Sequence, residues 1–174
     1  IGDKTKRVEL AERKDAINPN LLSNSKGVFQ PDNSSADNWE TYVGSTAYLE
    51  QNQVYTISGE TNGTWSGTHN SGVESDKCVL WFIDGQSINT IVSSDNQVNN
   101  SNQFVWTNPT GTYELRVNSY KPDNSIKVWD IKVEKGSVAT SWCPALEDYA
   151  WTSDIASLQN TVNNIDSTRT PIVA

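Results

Sequence analysis

The sequence predicts an all-β domain, an antiparallel sandwich or barrel, followed by a C-terminal helix. Three observations carry this expectation. Short apolar or alternating stretches recur from Asn20 to Val133 with no helical period between them. The breaks between them hold turn chemistry: Asp84-Gly85, Asn108-Pro109-Thr110-Gly111 and Lys121-Pro122-Asp123-Asn124. Past residue 150 the period changes, and Trp151, Ile155, Leu158, Val162 and Ile165 step by four, three, four and three. That spacing is a heptad seam, capped at Thr152 or Ser153-Asp154 and ended at Thr170-Pro171.

The elements follow in order. Residues 1–17 are charged and of mixed sign, and read as a linker with a helical turn near Val8–Ala11; Pro19 stops any helix before it. Strands are expected at Asn20–Leu22, Ala47–Leu49, Val54–Gly59, Cys78–Ile83, Ser87–Val92, Gln103–Thr107, Thr112–Tyr120 and Ser125–Val133. Alternation assigns faces. Tyr113, Leu115 and Val117 oppose Glu114, Arg116, Asn118 and Tyr120. Tyr55 and Ile57 oppose Thr56 and Ser58, and Phe104 and Trp106 oppose Val105. In CVLWFI, both Cys78-Leu80-Phe82 and Val79-Trp81-Ile83 are apolar, which fits either a strand covered on both sides or a ligand cleft. The last strand loses phase at Trp129-Asp130, and a β-bulge there returns Ile126, Val128, Ile131 and Val133 to one face. The domain is expected at 18–148, with 149–174 as a helical linker or the start of a stalk.

Composition narrows the function. The chain has 174 residues, a net charge of −8 and 35% hydrophobic residues, yet it holds seven Trp and six Tyr. Disordered chains are poor in aromatics, so these rings argue for a folded domain. The acidic balance and scattered Lys and Arg offer no basic footprint for nucleic acid. No apolar run approaches the 18 or so residues of a membrane span. The chain begins with Ile and reads as a piece of a longer protein. Cys78 and Cys143 are equally consistent with one bridge or two free thiols.

Catalytic chemistry finds little purchase, and the chain is read as a non-enzyme. The lone histidine, His69, sits in a polar loop without a nucleophile elbow beside it. No His cluster or cysteine pair has metal-ligand spacing. The many carboxylates include no marked pair of the kind glycoside hydrolysis needs, and Asp84 is explained by its turn. Asn33-Ser34-Ser35 and Asn62-Gly63-Thr64 match glycosylation acceptors, as chance would produce in so Asn- and Ser-rich a chain.

Two end motifs carry a resemblance. The start reads NLLSNS (Asn20, Leu21, Leu22, Asn24, Ser25), and the end reads IKVEKGSVATSW (Ile131, Lys132, Glu134, Lys135, Gly136, Ala139, Thr140, Trp142). Together, and with YTISG at Tyr55–Gly59, they resemble carbohydrate-binding jelly-roll modules of tailed-bacteriophage tail and baseplate proteins that infect Gram-positive bacteria. The resemblance spans residues 20–148, apart from the Asn62–Asp76 loop. It implies a galactose-binding-like jelly roll that adheres to host cell-wall polysaccharide, neighbours other tail proteins on the virion and is made in the host cytoplasm. It also implies a structural Ca²⁺, for which Asp130 lies at a suitable place in the last strand although no calcium-loop motif is present. Trp142 is expected to plug the open end of the sandwich.

Sugar binding asks for flat apolar rings beside amides, carboxylates or guanidinium groups. Five residues supply them: Trp65 between Gly63 and Gly67, Trp81 on the second face of its strand, Trp39, and the outward Arg116 and Tyr120. Each also has a structural reading. Trp81 could be core, Trp65 a loop anchor, and Arg116 and Tyr120 ordinary outward residues. Trp106, Trp129 and Trp151 are read as structural. Two rival functions remain: a structural or assembly module of the virion that touches no sugar, and a targeting module of a cell-wall hydrolase.

Overall fold

The computed structural model describes residues 18–31, 40–69, 76–119, 121, 125–149 and 161, with the side chains of 40–43 left aside. It is an all-β fold of two sheets packed as a sandwich. The strands are β1 (Val28–Phe29), β2 (Glu40–Leu49), β3 (Val54–Thr61), β4 (Thr64–Trp65), β5 (Lys77–Ile83), β6 (Asn89–Ile91), β7 (Ser101–Val105), β8 (Gly111–Ser119) and β9 (Val128–Lys135). One sheet runs β1-β9-β3-β7. The other runs β2-β8-β5-β4, with β6 also on β5. All pairings are antiparallel except β4 with β5, which is parallel.

The expected strands from Val54 onward are present within a few residues, while Asn20–Leu22 contributes an isolated bridge, Asn20 with Ala145. β2 is far longer than its Ala47–Leu49 core. Its register jumps between Tyr42 and Thr46, and Gly44 at φ 67° absorbs the extra residues that broke the alternation. The bulge expected in the last strand is real. Ser58 faces Lys132 but Glu60 faces Trp129, and Asp130 takes φ 53°. The bulge keeps Val128, Ile131 and Val133 in the core.

The C-terminal helix is a correction. Among the described residues the helical structure is a 3-10 turn at Leu146–Asp148 and the single residue Thr161; no helix of seven residues or more is present. Trp151, Ile155, Leu158, Val162 and Ile165 lie outside the described residues, as does the linker 1–17.

The core lies between the sheets. Tyr55, Ile57, Ile131 and Val133 from one meet Leu80, Phe82, Leu115 and Val117 from the other. At one end of the sandwich Trp106 packs on Tyr113 (4.6 Å between centroids) and edge-on to Phe82 (6.0 Å). Their polar atoms reach one loop carbonyl: Tyr113 Oη and Trp106 Nε1 both donate to Pro109 O, at 2.6 and 3.3 Å. Burying large rings whose polar tips find partners is the favourable use of Trp and Tyr in a core.

The two end motifs meet on the other sheet. Asn20 is buried, and its Nδ2 donates to Ser25 Oγ (3.0 Å), Cys143 O (2.9 Å) and Ile131 O (3.3 Å). Its Oδ1 accepts from Leu22 N (2.9 Å) and Val133 N (3.1 Å). Lys132 and Glu134 are fully buried on the outward side of β9. The Lys132 ammonium donates to Thr140 Oγ1 and Ser141 O, both at 2.8 Å, and Glu134 accepts from Thr140 N and Oγ1 at 3.1 and 2.7 Å. Gly136 at φ 94° turns the chain back so that Thr140 can cover them. Trp142 is half-buried, and its Nε1 donates to Ile131 O (3.2 Å) and Ser25 Oγ (3.3 Å). It is a strut that ties the returning chain to β9 and the first segment.

Cys78 and Cys143 are free. Cys78 is buried, and burial pushes its thiol pKa up to about 11. Cys143 is half-buried.

Two outcomes follow. Asn20→Ala strands buried donors and acceptors on both sides of the clasp, so it should lower unfolding stability by at least about 2 kcal/mol, read from the urea midpoint; an unchanged midpoint would remove the clasp from any stabilising role. At pH 8 a thiol reagent should modify Cys143 alone in the native protein and both cysteines in denaturant, because only a thiolate reacts. Mass mapping of the modified peptides decides this.

Candidate functional site

The outward face of the β2-β8-β5-β6 sheet is where β5 shows its second apolar side. Val79, Trp81 and Ile83 form a satellite cluster there with Ile91 of β6. Strand alternation puts Cys78, Leu80 and Phe82 into the main core and leaves these three outside it. The register adds β8 residues in rows. Val79 lies opposite Asn118, Trp81 opposite Arg116 and Ile91, and Ile83 opposite Glu114 and Asn89. On β2, Glu40 pairs with Asn118 and Tyr42 with Arg116.

Trp81 is the centre of this face. It is only 7% exposed. The Arg116 guanidinium lies 4.8 Å from its ring centroid, a cation–π distance. His69, itself exposed, meets the same ring edge-on at 5.6 Å and 72°. Arg116 also donates from Nη2 to Asn89 Oδ1 at 3.1 Å, which ties β8 to β6 across β5. Among the described residues, the buried Trp81 Nε1 and Asn118 Oδ1 have no hydrogen-bond partner.

A cavity of about 210 Å³ opens beside Arg116. Its walls are Ile83, Gln86, Ser87, Ile88, Asn89 and Arg116, with Gly85 at the turn. The turn is held rigidly. Asp84 Oδ1 accepts from the backbone N–H of Gln86 (2.8 Å), Ile88 (2.9 Å) and Ser87 (2.9 Å). The hydrogen bonds from Gln86 and Ile88, with that from Ser87, hold the Asp84 carboxyl below its ordinary pKa range. Gly85 takes φ 78°, which the turn requires and a side chain would resist. The cavity thus combines an apolar wall with two carboxamides, a hydroxyl and a guanidinium on a preset frame.

The sequence-predicted residues part company here. Trp81 and Arg116 are brought together on this face. Trp39 and Tyr120 lie outside the described residues, next in sequence to Glu40 and Ser119. Trp65 is not an exposed ring. It is 6% exposed, belongs to the main core, and donates from Nε1 to Asn100 Oδ1 at 3.2 Å. β4 pairs parallel with β5 and draws it inward. The flanking glycines permit that close approach: a Cβ on Gly63 would stand 2.2 Å from Asp76 O, and one on Gly67 3.1 Å from Ser94 Cα. Gln86, Ser87 and Asn89 were missed as site residues: Gln86 reads as part of the Asp-Gly turn, and Ser87 and Asn89 read as polar positions of the short expected strand Ser87–Val92. Their only signal was position, at the end of a strand apolar on both faces.

Among the described residues no group of three or more His, Cys, Asp or Glu side chains could hold a metal ion, and Asp130 is an exposed residue of the β9 bulge. No protein-family model, curated protein or solved structure matches this chain.

Proposed function

We propose that this β-sandwich module binds a cell-surface polysaccharide without cleaving it, as part of a bacteriophage tail or baseplate device that attaches to a Gram-positive host. The observation that carries this reading is the cavity of about 210 Å³ beside Arg116, where Gln86, Ser87 and Asn89 surround an Ile83-Ile88 wall. Sugars are bound by such mixtures: planar amides and a guanidinium for hydroxyls, apolar atoms for the C–H face. The end motifs NLLSNS and IKVEKGSVATSW support the phage assignment through their resemblance, and they form one interlocked network in this chain.

The size of the site sets the mode of binding. At about 210 Å³ it is smaller than the roughly 300–1,000 Å³ pockets that enclose a whole drug-sized ligand. It therefore takes one residue of a polymer, held weakly. Many copies on one particle would convert weak single contacts into firm adhesion, because each bound site raises the local concentration of the next. The partners are wall polysaccharide on one side and neighbouring tail proteins on the other, and the place of action is the virion tail outside the cell. A structural Ca²⁺ remains part of the proposal only through the resemblance. If one binds, thermal melts in EDTA and in millimolar Ca²⁺ should separate by several degrees; coincident melts would remove the ion from the account.

The test is sedimentation with purified Gram-positive cell walls and their released polysaccharide. Wild type should co-sediment, and Arg116→Ala should lose most of the binding, with at least about a ten-fold weaker Kd for losing a charged hydrogen-bond donor. Circular dichroism should confirm that the variant stays folded. A wild type that binds no wall fraction from any tested host overturns the adhesive reading.

A further inference from the structure

The Trp81 face holds a second feature that the cavity does not use. Trp81 Nε1 is a donor and Asn118 Oδ1 an acceptor, and both are buried without a partner among the described residues. Trp81 is 7% and Asn118 2% exposed. Orphaned buried polar atoms are rare, and each costs the protein the desolvation of that group. These two are of opposite hydrogen-bonding sense and form a complementary set on this face.

The register places them together. Trp81 faces Arg116, and Val79, two residues back on β5, faces Asn118. Trp81 and Asn118 are therefore diagonal neighbours on one sheet surface, where Cβ atoms stand about 7–8 Å apart, within reach of long side chains. One oxygen or amide group making two bonds of roughly 2.9 Å can span such a pair. Over the indole lie the exposed His69 imidazole, edge-on at 5.6 Å, and the Arg116 guanidinium at 4.8 Å.

We propose that Trp81 Nε1 and Asn118 Oδ1 form a donor–acceptor pair that receives one neutral polar group of the saccharide, a hydroxyl or an acetamido group, when His69 leaves the Trp81 ring. The inference rests on the saccharide-binding reading and sharpens it. The ligand group must accept from the indole and donate to the carboxamide oxygen. A hydroxyl or a secondary amide does both. A carboxylate or a phosphate diester only accepts, so it would leave Asn118 Oδ1 unsatisfied and facing a negative charge. Arg116 alone would favour an anion; Asn118 turns the choice toward a neutral sugar. Moving His69 takes the imidazole off the edge of the indole and opens the donor, while the Arg116 guanidinium stays over the ring.

Titration calorimetry on the full chain tests this, with neutral wall oligosaccharides, N-acetylated and plain, set against uronate- and glycerol-phosphate-containing ones. Neutral ligands should bind more tightly than acidic ones. Trp81→Phe, which keeps a ring but removes the donor, and Asn118→Leu should each weaken neutral binding by about ten-fold, as the loss of one buried hydrogen bond does. His69→Ala should tighten it by about three-fold or more, since less cover has to be moved. Equal or stronger binding of the acidic ligands overturns the inference. So does saccharide affinity within two-fold of wild type in both Trp81→Phe and Asn118→Leu, with only thermal stability changed, because the pair would then be bridging a buried water (about that fold-change is the resolution of the method). In either case adhesion itself stands. Absence of binding to every saccharide sinks the adhesive reading and this inference together.

Discussion

The buried carboxamide of Asn20 holds the two ends of the domain to one sheet. The first segment and the returning chain after β9 have no long strand of their own to pair with. They are fixed by a few backbone bonds, such as Leu21 N to Val133 O, and by side chains: Asn20 to backbone groups of Ile131, Val133 and Cys143, and the Thr140 hydroxyl to the buried side chains of Lys132 and Glu134. Burying a charged pair is favourable only when its remaining hydrogen-bonding capacity is met. Thr140 and Ser141 meet it for Lys132, and Asn18 adds a donor to Glu134 at 3.3 Å. With the ends secured, β9 can stand inside its sheet between β1 and β3, and the core between the sheets is closed.

That arrangement leaves the opposite sheet at liberty to carry a site. Its β5 strand is apolar on both faces, one serving the core and the other a small cluster around Trp81. The guanidinium of Arg116 is positioned twice, by the indole beneath it and by Asn89 beside it. The adjoining turn is fixed by Asp84 through three backbone donors. A frame set before any ligand arrives loses little entropy on binding, which is how a small cavity can be selective.

Much of the fold was legible because strand alternation is a local property. The faces of β5 and β8 and the bulge at Asp130 follow from runs of residues a few positions long. What could not be read depended on distant partners. β4 is two residues long and pairs parallel with β5, so nothing near Trp65 announces that it belongs to the core. The two glycines flanking it looked like loop flexibility, whereas they are points of close backbone approach. β2 was seen only in its last residues because Gly44 and its polar neighbours interrupt the pattern where the strand bulges. Trp81 and Arg116 were candidates by residue type and outward phase, and what local pattern could not show is that cross-strand register makes them neighbours. The β5–β6 turn residues gave no comparable sign, since hydrogen-bonding side chains in turns are ordinary.

The pairing of Asn20 with Ala145 is parallel. The incoming and outgoing chains therefore leave this junction in opposite directions along a shared axis. Asn18 sits against Thr140, and Asn24 against Asp148, in the same sense. Tension drawn through the flanking residues would slide the two segments past each other and strain these bonds all together, instead of peeling them apart one at a time. Bonds loaded together in shear must break together, so this junction would withstand more force than the same few bonds opened in turn.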